Sequence, residues 1–281
     1  MYKTVVKRLR VSKIIIIVCI AIFIIVEVAP VVWMLLSSIK SPDQFQRSML
    51  ELPRKFYLKN YIDAWTRGNF QYYLRNSAVA TFSALFVILA LGSMVGFAVQ
   101  KMKWKLSRLT LLIFLSGIMV PQMILLLPQF LIFKRIGLYD NLFALTVAYS
   151  VLQLPIAIYL FVNFFSYLPN EIMESAVIDG CSIYAIFFRI VLPLSMNTII
   201  TVTVVSFFIF WNDLIAANTY IVSLNLKTIQ VGLVSFVGYM GRKEWGPIFA
   251  GLMISTAPTL ALYFALNRRV LTGVVAGSLK G

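Results

Sequence analysis

The 281-residue chain contains no histidine. That removes the commonest metal ligand and the commonest general base. Cysteine is nearly absent too. Cys19 lies inside an apolar run and Cys181 beside an acidic loop, so the two are not expected to meet in a disulfide. No Gly-x4-Gly-Lys-Ser/Thr stretch occurs, so the chain brings no phosphate-binding loop of its own. Work driven by ATP would need a second polypeptide to bind the nucleotide. These absences leave no catalytic constellation, and neither metal nor cofactor is expected. Charge is also scarce, at 12% of residues against about 25% in soluble chains. Acids are the rarest class, with 10 Asp and Glu against 25 Lys and Arg, a net charge of +15. Such an excess would suit nucleic acid, but the cations sit in short segments that flank apolar runs. That placement is the one membrane topology demands, and no nucleic-acid partner is expected.

What is present is hydrophobic sequence. Apolar residues make up 60% of the chain and mean hydropathy is +0.89, gathered in long uncharged runs, which is the signature of a lipid bilayer. The basic tail 1–13 precedes a first span, 14–36, read as a retained anchor rather than a signal peptide because it is long and more spans follow. Glu27 interrupts it. A mid-membrane carboxylate is either functional or a protonated, hydrogen-bonded group facing neighbouring helices. A polar connector, 37–77, carries a short interfacial helix near Asn60–Trp65. The second span, 78–99, holds Gly92 and Gly96 at a spacing that permits close helix packing. A short basic loop, 101–108, contains no acid.

The third span, 109–133, contains Pro121 and Pro128 and should kink. Gln122 and Gln129 share a face of it. They would line a polar passage or satisfy backbone groups freed by the prolines. The fourth span is 142–167, the fifth 191–211 and the sixth 246–266, with a second long connector at 212–245. The expected fold is an all-α membrane protein with six transmembrane helices. The expected organisation is an N-terminal region over residues 1–69, a core over 70–267 and a short tail over 268–281.

Between the fourth and fifth spans lies the one cluster of acids. Glu171, Glu174 and Asp179 fall within nine residues. Asn170 is a plausible N-cap, and the two glutamates stand near the positive end of the helix dipole. Gly180 has the backbone freedom to end the helix, and Ser182 can cap a second one. In that second helix Ile183, Ile186, Phe187 and Ile190 fall on one face, and Pro193 marks the start of the next span. The stretch reads as a compact helix-turn-helix at a membrane surface with an acidic tip.

Glu174-Ser175-Ala176, Asp179-Gly180 and Ile190-x-Leu192-Pro193 resemble the Glu-Ala-Ala loop of ABC importer permeases, with Ser175 in place of the usual first alanine. Trp211-Asn212-Asp213 resembles the Trp-Asn-Glu that ends the fifth span in carbohydrate permeases. Leu271–Gly281 resembles their C-terminal tail, and the match covers nearly the whole chain. The resemblance points to the sugar branch that includes the smaller maltose-type permease, with the type I importer fold and a cytoplasmic coupling helix between spans four and five. It implies that the loop docks on a cytosolic ATPase through Glu171, Glu174, Ser175, Ala176, Val177, Asp179, Gly180, Ile183, Ile190, Leu192 and Pro193, and that Lys280 and Gly281 reach the ATPase dimer. It also implies a second, different permease chain, two ATPase copies and an extracytoplasmic solute-binding protein, all at a bacterial or archaeal inner membrane.

Cation totals do not orient the chain, since 13 lie on the side of the termini and 12 on the other. The short flanks of the early helices carry the orientation signal. The tail before Ile14 and the loop 101–108 are both basic and acid-free, which places both termini and the acidic loop in the cytosol. An ion-coupled secondary transporter would favour internal repeats and intramembrane charge. Only Glu27 is charged inside a span, and no repeat of halves is evident. A membrane scaffold would not need the loop spacing. Permeases for polyamines, phosphate or amino acids share the loop but lack the Trp-Asn and Lys-Gly signatures.

Overall fold

A computed structural model describes residues 2–102, 104–240 and 244–278, with side chains for 13, 16–102, 104–238 and 244–266. Among the described residues all regular secondary structure is helical. In order it forms α1 (Tyr2–Ser38), α2 (Pro42–Arg47), α3 (Lys59–Thr66), α4 (Phe70–Lys101), α5 (Ser107–Ser116), α6 (Gln122–Arg135), α7 (Leu142–Ser166), α8 (Asn170–Ile178), α9 (Ile183–Ala185), α10 (Leu192–Leu194), α11 (Met196–Trp211), α12 (Ile215–Tyr220), α13 (Ile229–Met240) and α14 (Trp245–Ser278). A π-helical segment, Ile186–Val191, joins α9 to α10.

Four helices are individually long and apolar enough to cross a bilayer: Ile16–Ser38, Phe70–Lys101, Leu142–Ser166 and Trp245–Leu266. The count reaches six only if each of two bent pairs is one span. The expected third span is the sharper departure. The chain turns through 101° between Ser107–Met119 and Gln122–Arg135. Pro121 causes the break, because it has no N–H to continue the helix and holds its neighbour extended. Val120 has ψ 113° and Pro121 has ψ 132°. Pro128, expected to kink the same span, lies inside α6. The expected fifth span is likewise bent, by 70°, between Ile183–Leu194 and Met196–Trp211. The second connector contains α12 and α13, and α14 continues through the tail to Ser278. Lys280 and Gly281 lie outside the described residues.

The chain divides into two compact units. One comprises residues up to Gly68 together with Ser235–Ile254, the other Asn69–Val234 together with the chain from Ser255. In the larger unit α4 packs along α7, and α11 packs on both. Small residues bring the first pair together. A Cβ added at Gly96 would lie 2.8 Å from the Phe161 Cβ, so only hydrogen fits there. Buried Ala80, Ala84, Ala144, Ala148 and Ala157 line the same two helices. This is the close approach that membrane helices use when lipid gives them no hydrophobic drive to associate. α11 joins through rings: Tyr149 stacks on Phe210 at 4.9 Å, and Phe82 meets Phe207 at 6.1 Å.

In the smaller unit the last turn of α1 is tied to α3. Asn60 Nδ2 donates to the carbonyls of Ser38 and Lys40, at 2.8 Å each. The apolar run of α1 is exposed from Ile16 to Val32 and becomes buried only at its last turn. Glu27 sits exposed on that run.

Candidate functional site

The acidic loop is built around a single backbone reversal. α8 ends in a Schellman motif. The Cys181 amide donates to the Ala176 carbonyl at 2.9 Å, and the Gly180 amide to the Val177 carbonyl at 3.0 Å. Gly180 has φ +79°, the left-handed conformation that costs an ordinary residue about 1–2 kcal/mol. The next helix starts where Ser182 Oγ accepts from the Ala185 amide at 3.3 Å. Both caps expected from the sequence at Gly180 and Ser182 are therefore present. Asn170 takes a different role. It is the first residue of α8 rather than its cap, and Pro169 stands before it. Its Oδ1 accepts from Lys101 Nζ at 3.0 Å, and the same ammonium donates to the Leu168 carbonyl at 2.6 Å. One lysine at the end of α4 thus pins the start of the loop to the helix core.

The second helix of the pair also departs from the expected regular face. Residues 186–191 are wound as a π-helix, with the Leu192 amide donating to the Phe187 carbonyl. Pro193 explains it. It cannot donate to the Arg189 carbonyl, and its ring would clash there, so the turn widens upstream. The wider turn buries Ile186, Phe187 and Val191 and leaves Ile190 and Leu192 partly exposed. Phe187 in turn packs on Phe97 of α4, with ring centroids 5.3 Å apart.

The loop therefore has an inner and an outer side. Ala176 is buried (6%) against the chain itself. Val177, Ile183 and Tyr184 are exposed, and Ile178 is the most exposed of all at 86%. Glu171, Glu174, Ser175, Asp179 and Gly180 are exposed as well. No ion pair involves these three acids among the described residues. A cleft of about 430 Å³ runs beside them, lined by Lys101, Met102, Met173, Glu174, Ile178 and Ile183 among others. Ile178 and Tyr184 were not singled out in the sequence. Their position beside Gly180 at the tip was the available signal.

The opposite ends of the same helices carry a second polar assembly around α12. Asp213 Oδ2 accepts from the Tyr149 hydroxyl at 3.0 Å and the Ala217 amide at 2.8 Å, closing the start of α12. Asp140 closes its far end. This aspartate has φ +57°, and its Oδ1 accepts from the amides of Val222 and Ser223, at 2.9 Å each. Its Oδ2 accepts from Ser223 Oγ. Burial alone would raise the Asp140 pKa. The bonds from Ser223 Oγ and the two amides outweigh it and hold the group below its usual value. Gln129 belongs here too, accepting from the Tyr220 hydroxyl at 2.7 Å. Gln122 sits partly buried in the first turn of the same helix, α6. Trp211 Nε1 donates to the Ser255 carbonyl at 3.0 Å, and Asn212 Oδ1 accepts from Gln230 at 3.3 Å. The Trp-Asn-Asp triplet thus joins α11 to α12, α13 and α14.

The described residues form an all-helical fold with spans apolar enough for a membrane and a doubly capped, acid-tipped loop between two of them, and the proteins that share this arrangement and sequence are transport components rather than enzymes. The chain belongs to the family of binding-protein-dependent transport system inner membrane components, whose model matches residues 88–272. It is 30% identical to an inner membrane ABC transporter permease protein of Escherichia coli, covering 93% of this chain and 94% of that one. It is 29% identical to the trehalose/maltose transport system permease protein MalG of Thermococcus litoralis, over 90% and 91% of the two chains. Among solved structures, a bacterial ABC transporter involved in import of the acidic polysaccharide alginate superposes with a TM-score of 0.79. It covers 92% of this chain and 96% of that one at 20% identity.

Proposed function

We propose that this chain is one half of an ATP-driven sugar or oligosaccharide importer, and that the loop 171–193 couples it to a separate cytosolic ATPase. The observation that carries the reading is the loop itself. It is capped at Gly180 and Ser182, tied to α4 by Lys101, and presents Val177, Ile178, Ile183 and Tyr184 outward beside three exposed carboxylates. A stiff element with an apolar tip and an acidic rim suits a cleft with basic edges in a motor subunit. Ala176, buried beneath the helix, serves to seat it. When two ATPase copies close on nucleotide, the docked helix moves with them. The packed α4, α7 and α11 follow as a rigid group and open the pathway to the other side.

A second permease chain completes the pathway, and an extracytoplasmic binding protein delivers the solute. Both termini lie in the cytosol, 70–267 forms the core, and Gln122, Gln129 and Glu27 are candidates for the path. The choice of sugar is supported by the carbohydrate relative and by Trp211-Asn212, and not by any substrate contact.

The test is ATP-dependent uptake of labelled maltose-type sugars into proteoliposomes holding the purified complex, with a polyamine, phosphate and an amino acid as competing solutes. Gly180→Pro cannot adopt φ +79°, so it should insert normally and lose uptake. Gly180→Asn, which tolerates that conformation, should keep most of it. Normal coupling of hydrolysis to uptake in the proline variant would show that the loop is not the coupling element.

A further inference from the structure

The connector after α1 contains a loop whose polarity is reversed. Two of its polar side chains, Lys40 and Gln44, face inward. Lys40 is completely buried (0%), with its Nζ 3.8 Å from the centre of the Trp33 ring and 5.6 Å from that of Phe45. The ammonium donates to the Met49 carbonyl at 2.8 Å. Gln44 is buried too, and its amide donates to the Leu52 carbonyl at 3.4 Å. The Tyr57 amide donates to the Ile39 carbonyl at 3.0 Å, so the loop returns to the residue that follows α1. These stitches draw the backbone of 49–57 inward and turn its side chains out. Beside the exposed Arg54 and Lys55, five large apolar side chains are turned out: Met49, Leu50 (81% exposed), Leu52, Phe56 (82%) and Leu58.

In water this arrangement would be unfavourable twice over. A cation loses its hydration while five large apolar groups remain wet. It becomes favourable where the surroundings of the loop are themselves apolar. We propose that residues 47–59 form an interfacial membrane anchor, with Leu50, Leu52, Phe56 and Leu58 inserted at the headgroup–acyl boundary and Arg47, Lys55 and Lys59 on anionic lipid phosphates.

Position and charge select lipid over a protein partner. Both ends of the loop meet at Ile39 and Tyr57, directly after the apolar run that ends at Ser38. The loop therefore starts at the surface the span leaves, and interfacial side chains need to reach only about 5–10 Å into it. Its exposed cations are Arg47, Arg54, Lys55 and Lys59. The nearby acids are Asp43 and Glu51, and Glu51 is paired with Arg54. In the orientation proposed above the loop lies on the outer face, and its remaining positive excess is free to meet anionic headgroups of that leaflet, an attraction confined to about a Debye length.

The experiment uses the full chain in nanodiscs with Cys19→Ser and Cys181→Ser and one new thiol, Phe56→Cys or Leu50→Cys, carrying an environment-sensitive fluorophore. The discs contain phosphatidylcholine alone or with phosphatidylglycerol, each with a shallow doxyl-labelled lipid. The proposal expects blue-shifted emission, doxyl quenching and protection from iodide at both sites, with quenching stronger by roughly twofold in phosphatidylglycerol. Arg47→Gln, Lys55→Gln and Lys59→Gln together should abolish that increment and leave quenching in phosphatidylcholine intact. Iodide-accessible, unquenched labels at both sites would overturn the anchor, and an increment that survives the triple variant would overturn the headgroup contact. Protection that appears only after a solute-binding protein or a second permease is added would replace lipid by a protein docking surface.

Discussion

Asp140 is the residue whose role was least legible in the sequence. A lone aspartate between Tyr139 and Asn141 reads as a turn. The structure gives it a left-handed backbone and three acceptor bonds that hold the chain just after α12. Pattern reading missed it because its partners, Val222 and Ser223, lie some eighty positions away. Gly180 was legible because its partners are its own neighbours. The bonds that depress the Asp140 pKa make it a source of stability that is fully present above the unfolded value, 3.8. That stability disappears as pH falls through the still lower folded value. At neutral pH Asp140→Ala removes all three bonds and leaves the partly buried Ser223 amide without its acceptor. It should cost about 1–3 kcal/mol, read as a lower midpoint of thermal unfolding in detergent. The deficit against the parent chain should be constant from pH 8 to pH 5 and should shrink as the parent's own carboxylate is protonated in strong acid. An unchanged midpoint at pH 7 would show that the clamp adds nothing.

Elements were read well where hydrophobicity is continuous, including helices that carry Pro155 and Pro258 within them, and poorly at Pro121 and Pro193. α4 and α7 appear as uncharged runs with Gly92 and Gly96 to pack them, and they are the packed pair found. The residues 109–133 were expected to kink within one span, yet they divide outright at Pro121, through 101°. Sequence does not say which of two prolines breaks a helix and which one is carried within it, because neighbouring elements decide what happens to the freed carbonyls. The π-helical turn before Pro193 is the case with a functional consequence. Pro193→Ala would restore a donor for the Arg189 carbonyl, letting Ile186–Val191 rewind as α-helix. Rewinding shifts which side chains face α4, withdrawing Val191 and turning Ile190 inward. The variant should be as stable as the parent or more so, yet transport should fall at least about tenfold, since even small misplacement of a coupling element is costly. Uptake at the parental rate would mean that the widened turn is only a by-product of the proline.

At the scale of the molecule, the chain leaves much of its apolar surface without a partner of its own. The run from Ile16 to Val32 is exposed throughout, and no side chain of α5 is buried. A bilayer and a second permease would cover such surface, and the orientation proposed from the basic flanks says which way the assembly faces. The two native cysteines make that orientation measurable. Both are free and exposed, but Cys19 sits within an apolar run and Cys181 at the turn of the acidic loop. A membrane-impermeant maleimide needs water to form the reactive thiolate, so Cys19, in hydrocarbon, should not react from either side. Cys181 should be labelled in inside-out vesicles and protected in right-side-out ones. Cys19→Ser should leave the signal unchanged and Cys181→Ser should erase it. Adding the purified ATPase before the reagent should slow labelling of Cys181, because the docked subunit covers the turn at Gly180. Labelling of Cys181 from the outer face would invert the chain, put the loop beyond reach of any cytosolic motor and end the coupling proposal.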